Sequence, residues 1–133
     1  MLYYLQVSSH ARNELIDITA QVADLVRKSG ISSGVCHLCC LHTTAGITVN
    51  EGADPDVRQD ISRFLTTLVP VSAPFDHGEG NSDAHVKSTL VGMSETLIVE
   101  NGCLLLGTWQ AVYFCEFDGP RSRKVAVKII PDS

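Results

Sequence analysis

The 133-residue chain has no basic, apolar and small-residue succession at its start, no long apolar run and no excess of basic residues. Each absence excludes something. The opening MLYYLQVSSHARNEL predicts no signal peptide. With no stretch near the roughly 20 apolar residues that cross a bilayer, no membrane helix is expected. A net charge of −5 argues against a nucleic-acid surface, which needs a basic stripe. It leaves room for a small anion, because a few local arginines can grip a phosphate on an acidic protein. The cysteines are odd in number, five in all, which in a leaderless chain predicts free thiols and a cytoplasmic location. Internal repeats, linkers, a Gly-rich phosphate loop and a dense carboxylate cluster are also missing.

What remains is 44% hydrophobic and 19% charged, too apolar for disorder and long enough for one domain, 1–133, with its own core. MLYYLQVSS and ELIDIT read as strands around a turn at HARN. TAQVADLVRKSG reads as a helix with Thr19 as N-cap, Val22, Leu25 and Val26 on its apolar face, and Gly30 as its stop. GVCHLCCLH is dense enough in apolar residues for a buried central strand, and AGITVNE follows as another. DPDVRQDISRFLTTLVP is the strongest helix: Asp54 caps it, Pro55 suits its first position, and Val57, Ile61, Phe64, Leu65 and Leu68 recur at helical spacing. A short helix is expected from about Asp83 to Leu90. Beyond it come strands, with ENG as one hairpin turn and DGPR as a second. The sum is an α+β fold, mostly antiparallel, with β-sandwich-like sheet layers and two to three helices outside.

CHLCC tempts a zinc reading, which strand geometry opposes. Cys36 and Cys39 point to opposite faces, and Cys36 and Cys40, on one face, are about 13 Å apart. All five cysteines are therefore expected to be buried structural thiols. The segment FDHGEGNSDAH is different. On one continuous helix His77 and His85 would stand about 12 Å apart, but Gly78 and Gly80 favour a turn that can fold the rings together. Glu79, Asn81 and Asp83 add oxygen atoms that could ligate or orient. A third ligand would complete a catalytic metal site, and His42, ending the central strand beside the small polar HTTAG, is the leading candidate. The plainer alternative keeps one histidine in solvent and the other bonded to a carbonyl.

Other polar residues sit in apolar settings. Alternation through GTWQAVYFCEFDG places Thr108, Gln110 and Glu116 on one strand face, at a solvent edge or a subunit interface. Glu51, past the strand and before the helix cap, is a candidate general base or metal ligand. Arg121 and Arg123, past the DGPR turn, could hold a phosphate bidentately.

Taken together, HTTAGITVNEGADPDVRQD, HGEGNSDAHVKSTLVG, GTWQAVYFCEFDGPR and RKVAVKI resemble the YjbQ-like family from about residue 14 to residue 130. The resemblance implies a compact β-rich α+β fold, a homotrimer, and a polar cavity near the subunit boundary with histidines as metal ligands. It carries over His42, His77 and His85 as the ligand set, with Glu51, Asn81, Thr108, Gln110 and Arg121 in the pocket. Family members are often labelled secondary thiamine-phosphate synthases, transferases that join a pyrimidine diphosphate to a thiazole phosphate and expel pyrophosphate. That chemistry ordinarily uses Mg²⁺, whereas imidazoles suit Zn²⁺ better. Two functions are therefore weighed. One is a metal-assisted enzyme in which Glu51 moves a proton, Arg121 neutralises phosphate, Gln110 is a third catalytic residue, and Asn81 and Thr108 bind the cofactor. The other is a non-catalytic trimer that binds a metal or a small phosphorylated molecule.

Overall fold

The computed structural model describes all 133 residues. In chain order the elements are β1 (Leu2–Ser8), β2 (Glu14–Asp17), α1 (Thr19–Ser29), β3 (Gly34–Cys40), β4 (Ala45–Glu51), α2 (Pro55–Leu68), α3 (Ser82–Val91), β5 (Ser94–Glu100), β6 (Cys103–Leu104), β7 (Gln110–Glu116) and β8 (Ser122–Pro131). They form two sheets, β1-β8-β3-β5-β6 and β2-β7-β4, and every strand pair is antiparallel. The expected α+β architecture of facing antiparallel layers is what the chain adopts.

The main core lies between the sheets. Cys36, Leu38, Val125, Val127 and Ile129 from the larger sheet meet Ile47, Val112 and Phe114 from the smaller one, and Val22, Leu25 and Val26 of α1 close one side. A second core of Leu15, Ala84, Ala111, Tyr113, Cys115 and Phe117 lies on the other face of the smaller sheet, with Ile61, Leu65 and Val91 of α2 and α3 packed against it. β7 is thus buried on both faces, which is why its sequence lacks a clean polar–apolar alternation. Gly46 serves the same packing, since a Cβ there would stand 2.5 Å from the Gly92 carbonyl oxygen.

Several local expectations hold. Gly30 closes α1 in the left-handed conformation, the Asp54 side chain accepts the Asp56 N–H with Pro55 at the first helical position, and Asn101–Gly102 turns β5 into β6 with both φ positive. Others change. Thr19 is not the cap of α1; Ile18 holds that position, and the Asp17 carboxylate accepts both the Thr19 N–H and its hydroxyl. The apolar stripe of α2 does not become core: no residue of that helix is buried, and Phe64 and Leu68 are 65% and 56% exposed. Cys36, Cys40 and Cys115 are buried as expected, but Cys39 is half-buried and Cys103 is exposed on the two-residue edge strand.

The correction that bears most on the site concerns DGPR. It is not a hairpin turn, because β7 and β8 belong to different sheets. The chain crosses between sheets there, as it does from β1 to β2 and from β3 to β4. At that crossing Glu116, ending β7, and Arg123, entering β8, form an ion pair inside the sandwich.

Candidate functional site

Three of the six crossings between sheets, β1 to β2, β3 to β4 and β7 to β8, lie at one end of the sandwich, where Ser8 pairs with Ser122 and where Glu116 is opposite both Glu14 and Ala45. Backbone bonds join them: Ser9 N–H to Arg121 O, Leu41 N–H to Lys124 O, Phe117 N–H to Thr44 O and Gly119 N–H to Arg12 O. Glu116 sits at their centre and is fully buried. Its carboxylate accepts from Ser9 Oγ at 2.7 Å, Arg123 Nε at 2.9 Å, and the Phe117 and Asp118 N–H groups at 3.1 and 3.0 Å. Arg123 also donates to the Thr44 hydroxyl at 2.9 Å. Burial alone pushes the Glu116 carboxyl upward, but hydrogen bonds from Arg123, Ser9 and Asp118 outweigh it and hold the group below its ordinary value.

The glycine-bearing loop before α3 is tied to the same crossovers. Arg12 donates to Asp83 Oδ1 at 2.9 Å and to the Gly80 carbonyl at 3.2 Å. Lys87, one turn along α3, donates to Asp83 Oδ2 at 3.3 Å and to Asn13 Oδ1 at 3.0 Å. Asp83 and Lys87 are both fully buried. Asp118 accepts from Asn81 Nδ2 at 2.9 Å and from Arg121 at 3.0 Å.

Between these parts lies a cleft of about 360 Å³ whose walls include His42, Thr43, Asn81, His85 and Arg121. Gly80 has φ +77°, and past that turn the His77 and His85 rings meet edge to face with centroids 5.8 Å apart. Metal–nitrogen bonds of about 2.0–2.1 Å would place two ring centres roughly 5–6 Å apart, a spacing this pair matches. His77 Nε2 also lies 3.6 Å from Glu79 Oε2. The third expected ligand is engaged elsewhere: His42 Nε2 accepts the Lys124 N–H at 2.8 Å. Burial and the charge of Arg123 push the His42 imidazole below its ordinary pKa, and Glu116 opposes them. No group of three or more His, Cys, Asp or Glu side chains converges closely enough to hold an ion. The buried thiols offer no alternative, because desolvation raises Cys36 to about 11 and Cys115 to about 12, far from the thiolate a metal needs.

Of the other expected site residues, Arg121 and Asn81 reach the cleft and three do not. Glu51 and Gln110 are opposite each other at the far end of β4 and β7, and Thr108 lies in the turn just before β7. Six residues of strand separate that end from Ala45 and Glu116, about 20 Å. There Glu51 Oε2 accepts the Ala53 N–H and Gln110 Oε1 accepts the Gly107 N–H. Arg123 is not free to grip a ligand, being only 3% exposed. Glu116 is at neither a solvent edge nor an open face. Residue patterning named Asp83 as an oxygen donor beside the histidines but missed its partners Lys87 and Arg12, and Asp118, as site-building residues. The Asp83–Lys87 spacing of four on one helix face was the available signal.

Fold and site define a class: a two-sheet α+β sandwich with a polar cleft where three of its inter-sheet crossings meet. The family model described as UPF0047 protein YjbQ-like matches residues 3–132, and the chain belongs to that family. It is 51% identical over 132 residues to the UPF0047 protein MJ1081 of Methanocaldococcus jannaschii, covering 99% of this chain and 96% of that one. Identity to the UPF0047 protein YugU of Bacillus subtilis is 51% over 131 residues, 98% of this chain and 99% of that one. Among solved structures, a YjbQ/UPF0047 family protein from Clostridium acetobutylicum matches with TM-score 0.94 at 51% identity, over 96% of this chain and 99% of that one. A YbjQ-like protein of unknown function from Sulfolobus solfataricus gives TM-score 0.93 at 34% identity, over 99% of each chain. No helix is long and apolar enough to cross a membrane.

Proposed function

We propose that this protein is a cytoplasmic homotrimer whose cleft takes a small phosphorylated molecule beside a divalent ion held by His77 and His85. The observation that carries this reading is the 5.8 Å approach of those two rings, with His85 lining the same cleft as Arg121. Imidazole ligands favour Zn²⁺ over Mg²⁺. When bound, such an ion neutralises charge on phosphate oxygens. Arg121, held by Asp118 and half exposed, supplies a second cation. Asn81 Oδ1, buried without a partner, is an unsatisfied acceptor in the wall of the cleft.

The finer proposal is thiamine-phosphate synthesis, the joining of a pyrimidine diphosphate to a thiazole phosphate with release of pyrophosphate. In it Glu51, Gln110 and Thr108 act at the cleft of a neighbouring copy, since about 20 Å of strand separates them from their own. That same separation favours a second reading, a binder without chemistry, because one chain alone does not bring the expected base Glu51 to the cleft that Arg121 lines. Substituting His77 or His85 with alanine should abolish zinc binding, and with it any turnover. Calorimetric zinc titration and pyrophosphate release on the same samples test this. Turnover that survives in a zinc-free variant would remove the ion from the mechanism, and a phosphate ester that stabilises the wild type yet stays intact would select the binder.

The trimer is supported by apolar surface that the single chain leaves open. Phe64 and Leu90 flank a groove of about 780 Å³ beside α2, while Leu105 and Trp109 are 59% and 65% exposed at the Glu51 end. Apolar surface in this quantity marks an interface, and a groove with a separate protruding tip suits a head-to-tail ring. Light scattering should give roughly 43 kDa, three chains of 14.4 kDa, and Phe64→Asp should reduce it to the mass of one chain. A monomeric wild type would end the proposal.

A further inference from the structure

The His42 ring lines the cleft yet its chemistry differs from that of the other two histidines. Its Nε2 lies 2.8 Å from the Lys124 backbone nitrogen. A backbone amide always donates, so Nε2 must carry a lone pair. A neutral imidazole with its lone pair on Nε2 has its proton on Nδ1. Nδ1 makes no hydrogen bond within the chain, since the Lys124 contact is the ring's single one.

Metal ligation asks for the reverse arrangement. A ligating imidazole binds through one lone pair and donates N–H from the other nitrogen, usually to a carbonyl or carboxylate. Binding an ion through Nδ1 while Nε2 still accepts from Lys124 would require loss of both ring protons. Binding through Nε2 would require breaking the Lys124 contact and orphaning that amide. Turning the ring over would put a carbon against the N–H. Protonation is blocked by the same contact, because an imidazolium would set two donors face to face. His42 therefore does not fit the three-histidine ligand set.

We infer that His42 is a fixed Nδ1–H donor that, with Arg121, meets a tetrahedral oxyanion in the cleft, and that it stands outside any metal site formed by His77 and His85. The inference rests on the proposed phosphate-binding role of the cleft for its ligand class, and on the Lys124 contact for the role of the ring. A neutral donor suits a site that already holds carboxylates. Asp118 is engaged by Asn81 and Arg121, and Glu79 also lines the cleft, so a fixed N–H adds attraction for an oxyanion with no second charge to be neutralised.

The test uses the full chain and two probes, zinc alone and inorganic phosphate. Nitrogen-15 NMR of the free protein should show His42 with a protonated Nδ1 and an unprotonated Nε2. Zinc should shift the ring nitrogens of His77 and His85 and leave those of His42 in place. Phosphate should move the His42 Nδ1–H resonance. Among variants, His42→Asn puts an amide N–H near the Nδ1 position and should keep phosphate affinity. His42→Gln places its amide at Nε2 and should lose about tenfold or more, the worth of one hydrogen bond to a charged group. The opposite tautomer, a zinc-shifted His42, or a loss of about tenfold in zinc affinity on His42→Asn would overturn the inference. Phosphate that moves Arg121 but not His42 overturns the inference alone. Phosphate that moves nothing in the cleft overturns both the oxyanion assignment and the proposed function.

Discussion

Replacing Arg123 with methionine should lower the unfolding free energy by about 3–5 kcal/mol at neutral pH, a large fraction of what holds a small domain together. Arg123 is 3% exposed and Glu116 fully buried. Removing the guanidinium leaves a carboxylate in the interior with only Ser9 and two backbone N–H groups to satisfy it, and it frees the Thr44 hydroxyl and carbonyl as well. The pH dependence gives the effect a signature. In the wild type Glu116 lies below the ordinary carboxylate pKa. Its contribution is therefore fully present above the unfolded value, about 4.3, and fades as pH falls through the lower folded value. In Arg123→Met burial dominates and the sign reverses, so the deficit against wild type should be greatest near neutrality and should shrink on acidification. Adding Glu116→Gln should recover part of the loss, because the uncompensated charge is gone. Denaturant unfolding at neutral and acid pH checks this, and a pH-independent deficit below about 1 kcal/mol would contradict it.

The same pair shows why the fold was more legible in the sequence than the site. Strand and helix positions follow from local chemistry: Asp54-Pro55 starts α2, Gly30 stops α1, and Asn101-Gly102 turns β5 into β6. Which sheet a strand joins does not. A DGPR turn between two apolar strands has the pattern of a hairpin, whereas β8 pairs with β1 and β3 in the other sheet and Arg123 meets Glu116 across the crossing. Glu116 was visible as a polar residue needing a partner, but a partner seven positions away behind a turn has no periodic signal.

The site divides in the same way. His77 and His85 were recognisable because glycines between them could fold the loop, a property of the local backbone. The role of His42 turns on a contact with the amide of Lys124, 82 residues on, and no spacing rule reaches that far. Glu51, Gln110 and Thr108 were grouped with the histidines by the family resemblance, while the strand register sets them at the opposite end of the same sheet. Phe64 and Leu68 repeat at a core-like interval on a helix that packs on its own core through Ile61 and Leu65 and leaves these two exposed. A pattern of apolar residues specifies burial; it does not specify which molecule supplies the cover.

The second large effect belongs to Asp83, and it connects stability to the cleft. Asp83→Ala should destabilise the chain by about 3–5 kcal/mol, whereas Lys87→Met should cost less. The asymmetry follows from what each substitution leaves behind. Without Asp83, the fully buried Lys87 ammonium keeps only Asn13 Oδ1 at 3.0 Å and the Phe117 ring at 5.9 Å, with no carboxylate to balance it. Without Lys87, Asp83 still holds Arg12 at 2.9 Å. Asp83 also opens α3, two residues from Asn81 and two from His85, and its bond to Arg12 secures the guanidinium that reaches the Gly80 carbonyl. The Asp83→Ala loop should therefore loosen before the sandwich does. Amide exchange should speed up first across residues 76–85, and zinc affinity at the His77–His85 pair should fall although neither histidine has changed. Lys87→Met should leave both nearly as in the wild type. Equal destabilisation by the two substitutions, or exchange that accelerates uniformly over the chain, would mean that Asp83 supports the core and does not hold the loop at the cleft.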